Sequence, residues 1–370
     1  MNKLVLLYTN ALNNSETLER ILIITIFTFL ALTIVLFSTI MIYRTIKIAD
    51  SKYISGLKNT YGDVFMGAAF STPEELNTQI KKTIDLNKEH LTKKRYAQII
   101  TDELLFLYNS FTGESKKNLK DLYIKAGFID YSEKKVKSNK WEIQARGIRE
   151  VAQMKDERVI GFLKTLTNHK NQLVKENAQL SLVKINGFDG LNFLNDVNTP
   201  ISDWQQVNLL GALKEHGNQQ IPDFTSWLSS SEKTVILFAI RLMNHYKQIE
   251  GSNKLLTFLN YRDKKLKTES IRTLVNLGKT EAIPYFENIY HNESHEIKIE
   301  LIKAYSSLIT NRENNKLSDW LIYTKDPRIQ KECLEAIISL DAIEILRSVN
   351  TKDIQLANQI AHILKPKAVN

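Results

Sequence analysis

Turn-forming and cysteine residues are scarce: 13 glycines, 6 prolines and 1 cysteine occur in 370 residues. A single cysteine, Cys333, excludes an internal disulfide and any cysteine-paired metal site. The alternation of half-buried strands is hard to find, and few tight-turn signals separate the apolar runs. There is no Gly-rich phosphate loop and no G-x-S-x-G nucleophile elbow. What is present is 43% hydrophobic and 25% charged, the balance of a folded chain. Fifty basic against 41 acidic residues leave a modest net charge of +9. Long helices joined by short turns are the expectation, an all-α fold.

One segment stands apart. Residues 21–43 read ILIITIFTFLALTIVLFSTIMIY, with no charge, glycine or proline. At ~1.5 Å per residue such a helix reaches roughly 34 Å, enough to cross a hydrocarbon core. No small-residue cleavage site follows it, which argues for a retained anchor over a signal peptide. Lys3 and Arg20, with Glu16 and Glu19, precede it; Arg44, Lys47, Lys52 and Lys58 follow. This asymmetry favours a single pass with the following chain in the cytoplasm.

Residues 1–20 then form a short tail, 21–43 a transmembrane helix and 44–72 a juxtamembrane segment. Within the last, YGDVFMGAAF at 61–70 has two glycines and little periodicity and reads as a loop or hinge. Thr72-Pro73-Glu74-Glu75 is a helix start, with a capping residue, proline and early acids. Residues 73–140 form a helical capping region. From Lys81 to Lys140 it holds fourteen Lys/Arg against eight Asp/Glu, most of the chain's surplus. That charge fits anionic headgroups, an acidic partner or simply a solvated surface.

From residue 141 the sequence repeats. Gly147, Ala178, Asn208, Ala239, Ser270, Leu301 and Cys333 mark successive copies, 30 to 32 residues apart. Four positions before each stand Ile143, Val174, Trp204, Val235, Leu266, Ile297 and Ile329. Four after stand Val151, Leu182, Ala212, Met243, Leu274, Tyr305 and Ile337. Spacing of −4, 0, +4 is one stripe of one helix. A second series, Phe162, Phe193, Phe224, Leu255, Phe286 and Leu317, keeps a constant 31-residue step. Each is followed four residues on by another apolar residue. Each copy thus carries two helices, and neither can bury its stripe alone. Stacked copies shelter one another, giving a solenoid over 141–350 of about seven repeats, with 351–370 as a terminal cap and tail.

The segments DPRIQKECLEAI (326–337), VKENAQLSLVKING (174–187) and DKKLKTESIRTLVNLG (263–278) resemble the HEAT-repeat family, in particular its short bacterial form. Asn208 and Leu301 depart from the small residue expected at the marker. The resemblance covers a little over half of the chain and implies an armadillo-like superhelix. With the anchor, it is similar to bacterial membrane-anchored HEAT-repeat proteins of the cytoplasmic membrane. It implies a non-enzymatic scaffold that binds a protein partner at the membrane, such as a polysaccharide-making glycosyltransferase. Alternatives within the resemblance are a nucleic-acid-binding protein of the alkylpurine DNA glycosylase type and a periplasmic carbohydrate-binding solenoid.

No catalytic constellation, cofactor site or metal-ligand set is expected. Neither nucleic acid nor a small-molecule substrate is the expected partner. Cys333 falls on a buried stripe and reads as core. His291 and His295 have i,i+4 spacing, but HNESH lacks the H-E-x-x-H order and reads as a turn with surface histidines. Trp227 and Trp320 follow their second-helix markers by three residues. Other copies hold Thr165, Asp196, Phe258 and Ile289 there, so the position is not uniformly core. These two tryptophans are the candidate partner anchors.

Overall fold

A computed structural model describes residues 2–217, 219–309, 316–349 and 354–364, and every regular element among them is helical. The chain falls into two compact units, Met1–Tyr131 and Ser132–Asn370.

The first unit is built on α1, Asn2–Ala69, 68 residues without interruption. The hinge expected at 61–70 is absent. Leu57, Tyr61, Val64, Phe65 and Ala68 are buried along one stripe of that helix. Three helices cover the stripe: α2 (Pro73–His90), α3 (Lys94–Ser110) and α4 (Gly113–Lys125). The two glycines suggested a break, but the helical period of the apolar residues decides the outcome. Buried packing of that stripe far exceeds the ~1 kcal/mol cost of a helical glycine. Asn87 ties the corner: it accepts from Tyr61 Oη (3.1 Å) and donates to the Ala126 carbonyl (2.9 Å). Arg95 grips Asp50 with two hydrogen bonds (3.0 and 2.6 Å). The start at Thr72 is as expected, its N–H donating to Glu75 (2.9 Å).

The amino-terminal half of α1 has no such cover. From Ile24 through Ile48 its large apolar side chains are exposed. The hydroxyls of Thr25, Thr33 and Thr39 donate to the carbonyl four residues back (each 2.7 Å), and Thr28 does the same to Ile24. These threonine hydroxyls are thereby satisfied by their own helix, as an apolar solvent favours. This helix is long and apolar enough to cross a membrane.

Helix α5 (Phe128–Val136) spans the division between the two units. The second unit is a helical-repeat stack. Its long first helices are α6 (Trp141–Gln153), α8 (Gln172–Asn186), α9 (Asp203–Leu213), α10 (Lys233–His245), α12 (Lys264–Asn276), α14 (His295–Leu308) and α16 (Pro327–Ser339). The second elements are shorter. They are α7 (Ile160–Thr165), α11 (Leu255–Phe258), α13 (Ile283–Tyr290) and α15 (Leu317–Tyr323), with 3-10 turns over 187–195, 224–229 and 343–348. A unit of some 31 residues that spends about half on its first helix and more on two turns leaves room for only a few second-helix residues. Helix α17 (Ile354–Leu364) closes the stack, with Leu356 and Ile360 buried in the common core.

The markers behave as small contact points should. Ala178, Ala239, Ser270 and Cys333 are fully buried. A Cβ on Gly147 would meet the Val136 nitrogen at 2.5 Å, so only glycine fits where α6 lies against that backbone.

One register needs correction. In α9 the buried residues are Gln205, Gln206, Leu209, Ala212 and Leu213, while Asn208 is half-buried and Trp204 is 73% exposed. The stripe runs through Leu209, one residue later than the marker series. Helix N-caps show why. Asn171, Ser202, Glu232, Asp263, Ser294 and Asp326 precede the first helices, each seven residues before Ala178, Leu209, Ala239, Ser270, Leu301 or Cys333. The cap, and not the apolarity of Trp204, sets the phase of α9. Ile143, placed inward by the same series, is 37% exposed.

Candidate functional site

The proposed anchors are not at the surface. Trp227 is 6% exposed and donates through Nε1 to Asn195 Oδ1 (2.8 Å). Trp320 is 2% exposed, stacked on Tyr290 with ring centroids 3.9 Å apart. Phe258 and Ile289 at the same repeat position are also buried. That position is core in the last four copies and exposed only at Thr165 and Asp196. Variation between the first two copies and the others gave a false signal of partial exposure. Cys333 is buried as expected, and burial pushes its thiol up to about 12. No group of three or more metal-ligating side chains occurs among the described residues.

The outer face of the first helices differs along the stack. In the carboxy-terminal part it is covered by ion pairs in repeat register. Arg241, Arg272 and Lys303 reach Glu269 (3.1 Å), Glu300 (2.6 Å) and Glu332 (3.6 Å) on the next helix. Nearer the helix starts, Lys233, Lys264 and His295 reach Asp263 (3.4 Å), Glu296 (2.8 Å) and Asp326 (2.7 Å). Arg241 also grips Asp203 of α9 (2.7 Å), and Lys265 reaches the same carboxylate (2.7 Å). Hydrogen bonds from Lys265 and Arg241 hold Asp203 below the usual carboxylate range.

In the amino-terminal part the corresponding row is apolar. Leu173 and Trp204 occupy the position that Lys265, Glu296 and Arg328 take further along. Leu173 is 48% exposed. On α9, Trp204, exposed Val207 and Gly211 are spaced i, i+3, i+7 along one side. A Cβ at Gly211 would meet nothing within 4 Å, so this side of the helix is open. The N-cap ladder was the signal in the sequence that places Trp204 outside.

A second feature lies between the sixth and seventh copies. A cleft of about 560 Å³ is lined by Tyr290, His291, His295, Lys298, Tyr323 and Lys325, among others. The two histidines that the sequence assigned to a turn line this cleft. His295 is held by Asp326, whose carboxyl is lowered to about 2 by hydrogen bonds from Arg328.

No family model matches the chain, and no curated protein matches it. Solved structures do align. One engineered protein shares 15% identity, covering 82% of this chain and 93% of its own, at a TM-score of 0.30. A second engineered protein shares 16%, covering 71% and 96%, at 0.24. A structure of microtubule polymerases with TOG domain arrays, described by its tubulin recruitment and assembly, shares 11%, covering 84% and 85%, at 0.22. The repeat assignment rests on the internal ladders of caps, stripes and ion pairs, not on these overlays.

Proposed function

We propose that this chain is a membrane-anchored, non-enzymatic scaffold of the HEAT type that docks a protein partner through the outer face of α8 and α9. The observation that carries the reading is that Leu173 and Trp204 stand exposed at a position ion-paired further along the stack, with exposed Val207 beside Trp204 on α9. A large exposed tryptophan flanked by apolar residues is the composition of an interface centre. The exposed apolar half of α1 supports anchorage in a membrane, where a partner in the same membrane meets the scaffold at raised effective concentration. The basic residues after residue 43 favour the cytoplasmic side of a bacterial cytoplasmic membrane. A membrane complex such as a polysaccharide-making glycosyltransferase belongs to this partner class. On the carboxy-terminal first helices Arg241, Lys264, Arg272 and Lys303 are each neutralised by a carboxylate, which favours a protein over a nucleic-acid partner.

Two measurements test this. The chain should stay with membranes through alkaline carbonate washing; release into the supernatant would remove the anchor from the reading. Affinity capture of the full chain in mild detergent should recover a stoichiometric membrane protein. Trp204→Ala with Val207→Ser should lose it at unchanged thermal stability. Equal recovery with both forms would move the docking face elsewhere.

A further inference from the structure

The cleft between the sixth and seventh copies has a charge arrangement that the neighbouring copy explains. Three residues before the marker, the first helices carry Lys175, Lys267 and Lys298 in α8, α12 and α14. Each side chain leaves its own helix toward the loop that opens the next copy. Lys175 donates to Thr199 Oγ1 (2.9 Å). Lys267 is buried and ion-paired with Glu293, the residue just before the N-cap Ser294. The residue just before the next N-cap, Asp326, is Lys325. The lattice position that neutralises a lysine one copy earlier therefore holds a second cation here.

Lys298 and Lys325 both line the cleft, and neither has an ion-pair partner among the described residues. The Lys298 ammonium rests 5.5 Å from the centroid of the Tyr290 ring. The carboxylate that lines the cleft, Asp326, is already shared by His295 (2.7 Å) and Arg328 (3.0 Å). An aromatic wall completes the site. Tyr323 is 77% exposed at the rim, edge-on to His291 with centroids 6.4 Å apart. The volume, about 560 Å³, is within the range of small-molecule sites.

We propose that this cleft binds a small anionic ligand with a ring or apolar body. Its phosphate or carboxylate takes, between Lys298 and Lys325, the place that Glu293 takes at Lys267, and its body lies against Tyr323. A charge-assisted contact to two ammonium groups supplies the anchoring, and the tyrosine ring supplies the stacking surface. This site is separate from the apolar row on α8 and α9, and its occupancy does not depend on partner docking.

The test uses the full chain in detergent. Adenosine 5′-monophosphate and benzoate are the ring-bearing phosphate and carboxylate; adenosine and inorganic phosphate carry the ring or the anion alone. Titration calorimetry should show binding of at least one ring-bearing anion, at least tenfold tighter than adenosine or phosphate. Lys325→Glu rebuilds the internal pair present at Lys267. It should abolish that binding and raise the thermal midpoint of the unliganded protein. Tyr323→Ala should weaken the ring-bearing anion while leaving weak phosphate binding unchanged. The proposal is overturned if neither ring-bearing anion binds, or if Lys325→Glu binds it undiminished. Binding of an acidic peptide in their place would assign the cleft to a protein segment and equally overturn it.

Discussion

The first helices of the repeat stack share one architecture but finish their outer faces in two ways. From α10 to α16, successive helices are laced by Lys or Arg to Asp or Glu pairs. On α8 and α9 the same face shows Leu173, Trp204 and Val207. The cores beneath are alike: Leu209, Ala239, Ser270, Leu301 and Cys333 are fully buried. A solenoid therefore separates what holds it together from what it presents. Burial between neighbours fixes the stack, and the outward positions are free to differ from copy to copy.

The largest expected effect lies in the contrast between two tryptophans. Trp320 is sandwiched between Tyr290 (3.9 Å) and Tyr305 (5.0 Å), so Trp320→Ala should destabilise by about 3–5 kcal/mol. Trp204→Ala, at an exposed position, should stay within about 0.5 kcal/mol of the parent. Chemical denaturation of both variants checks this. Equal losses would mean that Trp204 belongs to the core and that the two faces are not distinct.

The next effect is at the junction between the two kinds of face. The backbones of α9 and α10 approach less closely than those of α10 and α12. Side chains bridge the gap: the Ile201 N–H donates to Thr234 (2.8 Å), Gln206 to the Thr234 carbonyl (3.2 Å), and Arg241 to Asp203 and Gln206 (2.7 and 2.8 Å). Removing Arg241 leaves Glu269 without that cation and weakens the grip on Asp203. Arg241→Met should cost on the order of 1–2 kcal/mol, less in high salt because the cluster is partly exposed. Urea titrations at low and high salt measure it. A salt-independent loss would make the bridge a packing contact only.

Much of this fold is legible in the sequence, and each failure has its own physical cause. Ladders of buried residues repeated at 30–32 positions reveal the pairs of helices, because burial constrains each copy alike. Phase is harder. Trp204 is apolar and sits where an inward residue was expected, yet Ser202 caps α9 and accepts from the Gln205 N–H (3.2 Å), turning Trp204 outward. Trp227 and Trp320 erred in the opposite direction. Exposed Thr165 and Asp196 in the first two copies made a core position look open. Residues 61–70 were read by their glycines when their buried stripe, Tyr61 to Ala68, carried the stronger term. The cleft needed comparison of adjacent copies at two positions at once, Lys267 with Glu293 against Lys298 with Lys325, which no single stripe displays.

The smallest effect is at the far end of the ion-paired face. Hydrogen bonds from the Arg328 side chain and N–H, then its charge and that of His295, hold the Asp326 carboxyl at about 2, below an unfolded value of 3.8. A depressed folded pKa means that the native state favours the ionised form. The contribution to stability is therefore complete above pH 3.8 and fades as pH falls toward 2. Asp326→Asn keeps the side-chain oxygen that caps α16 but removes the charge. The parent and Asp326→Asn proteins should differ most at neutral pH, and their stabilities should converge as pH falls from 3.8 toward 2. Stability measured by denaturant across that range gives the difference curve. A gap that stays constant down to pH 2 would assign the role of Asp326 to neutral hydrogen bonding alone. The row of pairs near the helix starts would then end at Lys264 and Glu296, and only Lys303 with Glu332 would join α14 to α16 by charge.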